Sequence, residues 1–184
     1  YTLVTSCAFD SEGNLWAMNA IGSQPNLYKL SPDGKWSTFT HRELLNNENH
    51  SWERQESAFF DSRGLLWFVN NDWRNGGLAC YNTATDAIKT FNTINNQDGT
   101  QVFYFYGRNI KEDKGGNLWF CTDAGPMLIP ATSIMAGAPE FQQVKVPRND
   151  GTNLADYLLA GIDCTCMVVD GGNRKWFGTN GHGI

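Results

Sequence analysis

The hydrophobic pattern of the chain repeats four times. Short apolar runs, typical of β-strands that are covered on both faces, begin about 50 residues apart and each follows a turn-forming segment. The four runs are LWAM at residues 15–18, LWFV at 66–69, LWFC at 118–121 and KWFG at 175–178. A repeat of about this period predicts one supersecondary unit copied in series, as in the blades of a β-propeller.

The turn before each run has a constant signature, in which an Asp stands six residues before the Trp. Asp at the first position of a turn accepts bonds from backbone N–H groups, and Gly three residues later takes the left-handed conformation that closes the turn. Asn tolerates that conformation best among the other residues. We predict four turns joining strands one and two of each blade, with each Trp packed between blades. Their residues are Asp10, Gly13 and Trp16; Asp61, Gly64 and Trp67; Asp113, Gly116 and Trp119; and Asp170, Asn173 and Trp176.

Further strands flank each turn. The pattern predicts first strands at residues 4–9, 56–60, 108–112 and 162–169, third strands at 26–30, 77–81 and 126–129, and fourth strands at 36–39, 88–91 and 141–146. Residues 131–138 are expected to be an insertion with one helical turn. The fold class is therefore all-β, a partial β-propeller of four-stranded antiparallel blades. One domain over residues 1–184 would hold blades at 1–40, 51–97 and 103–148 and a half blade at 157–184.

Three and a half blades are fewer than the roughly four to eight with which propellers close. An unclosed sheet leaves strand edges that associate readily. We expect the remaining propeller blades or a second copy of the chain as partner, with assembly or with disorder of residues 162–184.

Composition narrows the function classes. The net charge is −5 and no cluster of Lys and Arg is present to neutralise phosphates, which argues against nucleic acid. No apolar stretch is long enough to span a bilayer, so no membrane contact is expected from this segment. The five Cys are interpreted as small buried side chains, with Cys164 and Cys166 on one face of a strand. No metal site or cofactor is predicted.

The repeats resemble a known family. FDSEGNLWA at residues 9–17 and EDKGGNLWFCTDAG at 112–125 resemble two-component regulator propeller repeats, found in extracytoplasmic sensor regions of Bacteroidetes hybrid two-component systems. DYLLAG at 156–161 and VDGGNRKWFGTNGHG at 169–183 are more similar to propellers of type IX secretion-associated surface proteins. The resemblance covers nearly the whole chain except residues 131–138.

This resemblance implies a location in the periplasm or on the cell surface. It also implies a sensor or assembly module, with glycans as a familiar ligand class of the sensor relatives and a protein as the other ligand. It transfers no ligand-binding residue, because the shared residues build turns and blade contacts.

Binding is therefore expected in the loops, which a rigid scaffold positions. The loops between strands two and three, and between blades, are rich in aromatic residues next to Asn, Asp and Arg. The candidate ligand-binding residues are Trp52, Trp73, Arg74, Tyr104 and Tyr106. The alternative is that these aromatic side chains pack under their own loops.

An enzyme is the second hypothesis. Propellers of the streptogramin lyase kind have similar turns, and their chemistry would need a loop His and a divalent cation. The chain has three His, at His41, His50 and His182, none paired with a ligand at strand spacing. We therefore predict no catalytic residue and interpret the chain as noncatalytic.

Overall fold

The chain forms two compact units. The computed structural model describes residues 3–20, 25–46, 50–72 and 76–183. Unit one comprises Tyr1–Asn92 and Phe105–Gly107, and unit two comprises Thr93–Tyr104 and Arg108–Ile184. No helix in the described ranges has the length and apolar character needed to cross a bilayer.

Unit one contains two four-stranded antiparallel sheets, each with its strands in chain order. Blade one consists of β1 (Val4–Phe9), β2 (Leu15–Asn19), β3 (Leu27–Leu30) and β4 (Trp36–Phe39). A 3-10 helix, η1 (Arg42–Leu44), follows. Blade two consists of β5 (Gln55–Phe60), β6 (Leu65–Asn70), β7 (Gly77–Asn82) and β8 (Ala87–Phe91). These eight strands confirm the pattern in the sequence to within one or two residues at each end.

Unit two begins with a short hairpin that the sequence did not predict, β9 (Ile94–Asn95) with β10 (Gln101–Val102). A three-stranded sheet follows, built from β11 (Gly107–Glu112), β12 (Leu118–Thr122) and β13 (Gly125–Ile129). The expected helical turn is present as α1 (Ala131–Met135). The last hairpin, here called hairpin four, is β16 (Cys164–Val169) with β17 (Lys175–Thr179).

The fourth strand predicted at residues 141–146 is wrong. Only Gln142 pairs with the sheet, through a single bridge to Leu128. The chain then forms a different hairpin, β14 (Lys145–Pro147) with β15 (Ala155–Tyr157). Pro147 has no backbone N–H to donate, which suits the end of a short strand better than a blade interior.

The four turns have the predicted backbone. The third residue after each Asp has positive φ, at 81° for Gly13, 79° for Gly64, 77° for Gly116 and 64° for Asn173. In every copy its N–H bonds to the Asp carbonyl oxygen, as from Gly64 to Asp61 at 3.0 Å. The turns therefore join the first two strands of each repeat, as expected from the Asp and Gly spacing.

Each unit has a buried apolar cluster among its described residues, and Trp residues lie at contacts between neighbouring repeats within each unit. In unit one, Trp16 stacks on Phe39 at 5.3 Å and meets Tyr81 of blade two at 5.6 Å. In unit two, Trp119 meets Phe177 of hairpin four at 5.7 Å. These two contacts confirm the prediction for Trp16 and Trp119, whereas Trp176 is 50% exposed and does not follow it.

The cysteines correct two expectations. All five are free, but Cys7 and Cys166 are exposed and Cys80 is only partly buried, while Cys121 and Cys164 are buried. Cys164 and Cys166 do not share a face, because a register shift in β16 lies between them. A β-bulge of this kind changes the side-chain alternation, so one thiol points into the core and the other to solvent.

Candidate functional site

The turn end of each blade is organised around one carboxylate. The indole N–H of the repeat Trp donates to Oδ2 of the repeat Asp, at 2.9 Å in repeat one, 3.0 Å in repeat two, 3.2 Å in repeat three and 3.1 Å in repeat four. The same carboxylate accepts the backbone N–H groups two and four residues ahead, as Asp61 does from Arg63 and Leu65. The side-chain bond explains the six-residue spacing, which reasoning from the sequence had attributed to packing alone.

In three of the repeats these bonds favour the charged form of the carboxylate. Burial raises the pKa of Asp113, but bonds from Lys175, Trp119 and Asn117 outweigh it and lower the pKa to about 2. The bonds from Arg174 lower the pKa of Asp170 to about 2 as well. Burial also raises the pKa of Asp10, but bonds from Trp16 and Asn14 outweigh it and lower that pKa.

Among the predicted binding residues, Trp52 is buried. The ring of Trp52 is 1% exposed and packs near Phe68 in the core of unit one, so it has no open face for stacking. Trp73 and Arg74 lie outside the described residues. This placement of Trp52 matches the alternative that loop aromatics pack beneath their loops.

Both tyrosines of the candidate set are partly buried. Tyr104, in unit two, meets the edge of Phe120 at 5.7 Å, and burial raises the pKa of its hydroxyl. Tyr106, in unit one, is partly buried. Their placement does not test whether either binds a ligand, and that role remains a prediction.

The loop end of blade two, opposite its turn, instead collects buried polar side chains. We call Ser51, Gln55, Asn70 and Asn71 the loop-end cluster, since all four are buried. Gln55 Nε2 donates to the carbonyl oxygen of Asn19 at 3.1 Å and to that of Trp52 at 2.9 Å. Asn71 Nδ2 donates to Glu56 Oε2 at 3.0 Å. The cluster ties blade one to blade two with neutral amides.

Three buried polar atoms on one five-residue segment of this loop end have no hydrogen-bond partner among the described residues. They are Ser51 Oγ, Trp52 Nε1 and Gln55 Oε1. Leaving such an atom unpaired costs about 1–3 kcal/mol, and most buried polar groups in proteins are paired. On this segment, one hydroxyl, one N–H donor and one carbonyl acceptor are therefore buried and unpaired as far as the described ranges show.

The histidines do not assemble a metal site. His41 Nε2 lies 3.1 Å from Asp86 Oδ1, but the His41 side chain is buried and the Tyr81 hydroxyl donates to the same oxygen at 2.8 Å. His50 and His182 are exposed. Within the described ranges, no group of three His, Cys, Asp or Glu side chains is placed to hold a metal ion.

A groove that the sequence did not indicate lies at the turn ends of blades one and two. Its volume is about 570 Å³. Equivalent residues of the two repeats line it, including Phe9 with Phe60 and Ser11 with Ser62. The sequence contains a sign of this groove, because FDS occurs at the same place in both repeats. The neighbouring residues do not show, however, that the two copies line one cavity.

No protein-family model matches the sequence, and no curated protein matches it. Solved structures do. Over 97% of this chain, the fold matches 25% of PorZ, a surface component of the type IX secretion system of Porphyromonas gingivalis, with a TM-score of 0.81 and 21% identity. This chain has a propeller fold.

Two other structures share it. The first is the extracellular domain described as that of a hybrid two-component system of B. thetaiotaomicron, with 18% identity and a TM-score of 0.55 over 97% of this chain and 28% of that one. The second is virginiamycin B lyase of Staphylococcus aureus, with 16% identity and a TM-score of 0.58 over 96% of this chain and 48% of that one. The chain thus spans about a quarter to a half of these proteins. Both groups that the repeats resemble, secretion-associated propellers and two-component sensor domains, are among the proteins that share the fold.

Proposed function

We propose that this chain is part of a noncatalytic recognition module that works on the cell surface or in the periplasm. The observation that carries the proposal is the set of three buried, unpartnered polar atoms at Ser51, Trp52 and Gln55. A protein that needed only stability would pair these atoms or replace them with apolar groups. A surface or extracellular setting is supported by the similarity of the fold to PorZ, a bacterial surface component, and to the extracellular domain of the two-component system.

The ligand class follows from the donor set. A hydroxyl, an indole N–H and an amide oxygen, without a charged group among them, suit a neutral ligand rich in hydroxyl or amide groups. A glycan fits this description, and so does a protein segment. In this proposal Trp52 contributes its N–H, and Trp73, Arg74, Tyr104 and Tyr106 stay separate candidates for ligand contact.

A thermal-shift screen against a panel of soluble oligosaccharides tests the proposal. We expect Trp73→Ala to leave the Tm of the free protein nearly unchanged and to abolish the ligand-induced rise in Tm. Trp36→Ala, which removes a Trp that is 60% exposed on the outer strand of blade one, is the matched control and should keep that rise. A ligand that binds Trp73→Ala and Gln55→Met as tightly as it binds the native chain would contradict the proposal.

The proposal assigns no catalytic residue. His41, the histidine that lies next to a carboxylate, is buried, and its partner oxygen already accepts a bond from Tyr81. An assay for linearisation of a streptogramin B antibiotic with added Mg²⁺ checks this directly. We expect no turnover above that of buffer, whereas turnover that is lost in His50→Ala would favour the lyase alternative.

A further inference from the structure

The turn ends of neighbouring repeats meet in two different ways. We call the contact between the turns of repeats one and two the first junction, and that between the turns of repeats three and four the second junction. At the second junction the two turns are bonded to each other. The backbone N–H of Lys114 donates to Asn173 Oδ1 at 2.9 Å, and Lys114 Nζ donates to the carbonyl oxygen of Gly171. One lysine side chain thus bridges these turns.

At both junctions a further ammonium group lies over the repeat Trp. Lys175 Nζ is 3.0 Å from Asp113 Oδ2 and 5.7 Å from the ring centroid of Trp119. At the first junction, Lys29 Nζ lies 5.4 Å from the ring centroid of Trp16. Lys29 therefore takes the place of Lys175, although it comes from β3 of blade one itself.

The first junction has a serine in the place of the bridging lysine. Ser11 is the counterpart of Lys114, because each directly follows its repeat Asp, and Ser62 is the counterpart of Gly171 for the same reason. A serine side chain is too short to bridge two turns. The groove of about 570 Å³ lies here, and both serines line it. The first junction thus has a cavity where the second has a lysine side chain.

The charge of this groove favours a cation. Glu12 lines the groove and is exposed. Asp10 also lines it, and its lowered pKa keeps it ionised at neutral pH. The lining cation Lys29 faces both of these carboxylates, while the third lining carboxylate, Asp61, has its own ion pair with Arg63. Negative charge therefore exceeds positive charge around the groove.

The other walls suit the rest of a lysine residue. Phe60 lines the groove and packs against the core of unit one. The methylene stem of a lysine packs on such an apolar surface while its ammonium group reaches a polar edge. The hydroxyls of Ser11 and Thr83, which also line the groove, can bond to the peptide groups on either side of that lysine. The volume falls within the range of about 300–1,000 Å³ that is typical of binding pockets.

We propose that this groove binds a lysine side chain on an extended segment of another protein. The ammonium group takes the place that Lys114 Nζ has at the second junction, so that it donates to the carbonyl oxygen of Ser62 and pairs with Glu12. Blades one and two supply all of the walls. The groove is at the turn end of these blades, and the loop-end cluster is at the other end. This site is therefore independent of the function proposed above.

An NMR titration of the full chain with Nα-acetyl-lysine methylamide, a lysine side chain between two peptide groups, tests the proposal. We expect saturable shifts of the backbone amide signals of Ser11, Glu12, Ser62 and Thr83. Nα-acetyl-norleucine methylamide, which has an apolar chain without the ammonium group, is the control probe and should shift none of them.

Three variants sharpen the test. Ser11→Lys places a lysine where repeat three has one, so it should fill the groove and abolish binding of the probe. Glu12→Gln removes one negative charge and should weaken binding about threefold, as expected for an exposed charge pair. Glu43→Gln, at an exposed glutamate in η1 that does not line the groove, is the matched control and should bind as the native chain does.

Four results would overturn the proposal. The first is the absence of any shift at these four residues, and the second is an equal shift with the norleucine probe. The third is unchanged binding in Ser11→Lys. The fourth is a shift with spermidine but none with the lysine probe, which would show a site for a free polyamine instead of a protein side chain.

Discussion

The two ends of blade two use buried polar groups in opposite ways. At the turn end, the fully buried carboxylate of Asp61 accepts bonds from two backbone N–H groups, from Arg63 and from the indole of Trp67. At the loop end, Ser51 Oγ, Trp52 Nε1 and Gln55 Oε1 are equally buried and have no partner in the described part of the chain. Both ends belong to the same strands of blade two, so the difference arises in the segments that connect these strands.

The two ends therefore contribute differently to stability. Bonds to a buried charge contribute more than neutral ones, so the turn end is a source of stability. Unpaired buried atoms are a cost, so Ser51 Oγ, Trp52 Nε1 and Gln55 Oε1 reduce stability although the rest of the loop end packs and bonds normally. Substitutions at the two ends should therefore have very different effects on the free energy of unfolding.

Asp61→Ala should show the largest effect. It removes the carboxylate and leaves the buried Trp67 N–H unpaired, so we expect a loss of about 3–5 kcal/mol in the free energy of unfolding by urea. Asp170→Ala is the matched control, because Trp176 is half exposed and water can replace the carboxylate there. Its loss should be clearly smaller than that of Asp61→Ala. Equal losses in the two variants would contradict the account.

Acid should weaken the turn of repeat three through Asp113. Its pKa of about 2 in the folded chain lies below the ordinary value of 3.8, so its contribution is fully present above the ordinary pKa and is lost as pH falls towards 2. We expect about 1–2 kcal/mol from this group. The difference in unfolding free energy between the native chain and Asp113→Asn, measured from pH 6 to pH 2, should shrink over that interval. A constant difference would show that the Asp113 charge is not the cause.

Gly64→Val tests how much the backbone conformation of the turn end contributes to stability. An added Cβ meets no atom within 4 Å at Gly64, so the cost comes from φ of 79° and not from a clash. A β-branched residue in that conformation should lose about 1–3 kcal/mol. Gly64→Asn, which copies the turn with Asn173, should lose clearly less. If the two variants unfolded at the same urea concentration, backbone strain at this position would not matter.

Local signals in the sequence predicted the turns and most strands. Asp10, Gly13 and Trp16 specify a turn within seven residues, and neighbouring apolar residues specify the strands. The Asp-to-Trp bond was missed because it forms only once the hairpin brings the ends of this segment together. Residues 141–146 were wrongly assigned because Lys145 and Val146 pair with β15 and only Gln142 pairs with the blade.

The loop end was less predictable for a physical reason. Whether Trp52 is exposed depends on its contact with Phe68 and on the space left by Gly77, which come from other strands. Likewise, the bulge that turns Cys166 outward depends on its pairing with Gly178. The aromatic residues in the loops indicated that polar and apolar side chains lie close together there. Tertiary packing, which the local sequence does not show, decides which of their polar atoms stay unpaired.

The most direct test of the central claim compares two buried serines. Ser51 Oγ has no partner, whereas Ser133 Oγ donates to the carbonyl oxygen of Pro130 at 2.8 Å and accepts from the N–H of Glu140 at 3.1 Å. Replacing each by Ala deletes the same atom. We expect Ser133→Ala to lower the free energy of unfolding by about 1–2 kcal/mol and Ser51→Ala to leave it within about 0.5 kcal/mol or raise it. A loss of about 1 kcal/mol or more in Ser51→Ala would contradict the claim that the fold makes no use of this hydroxyl.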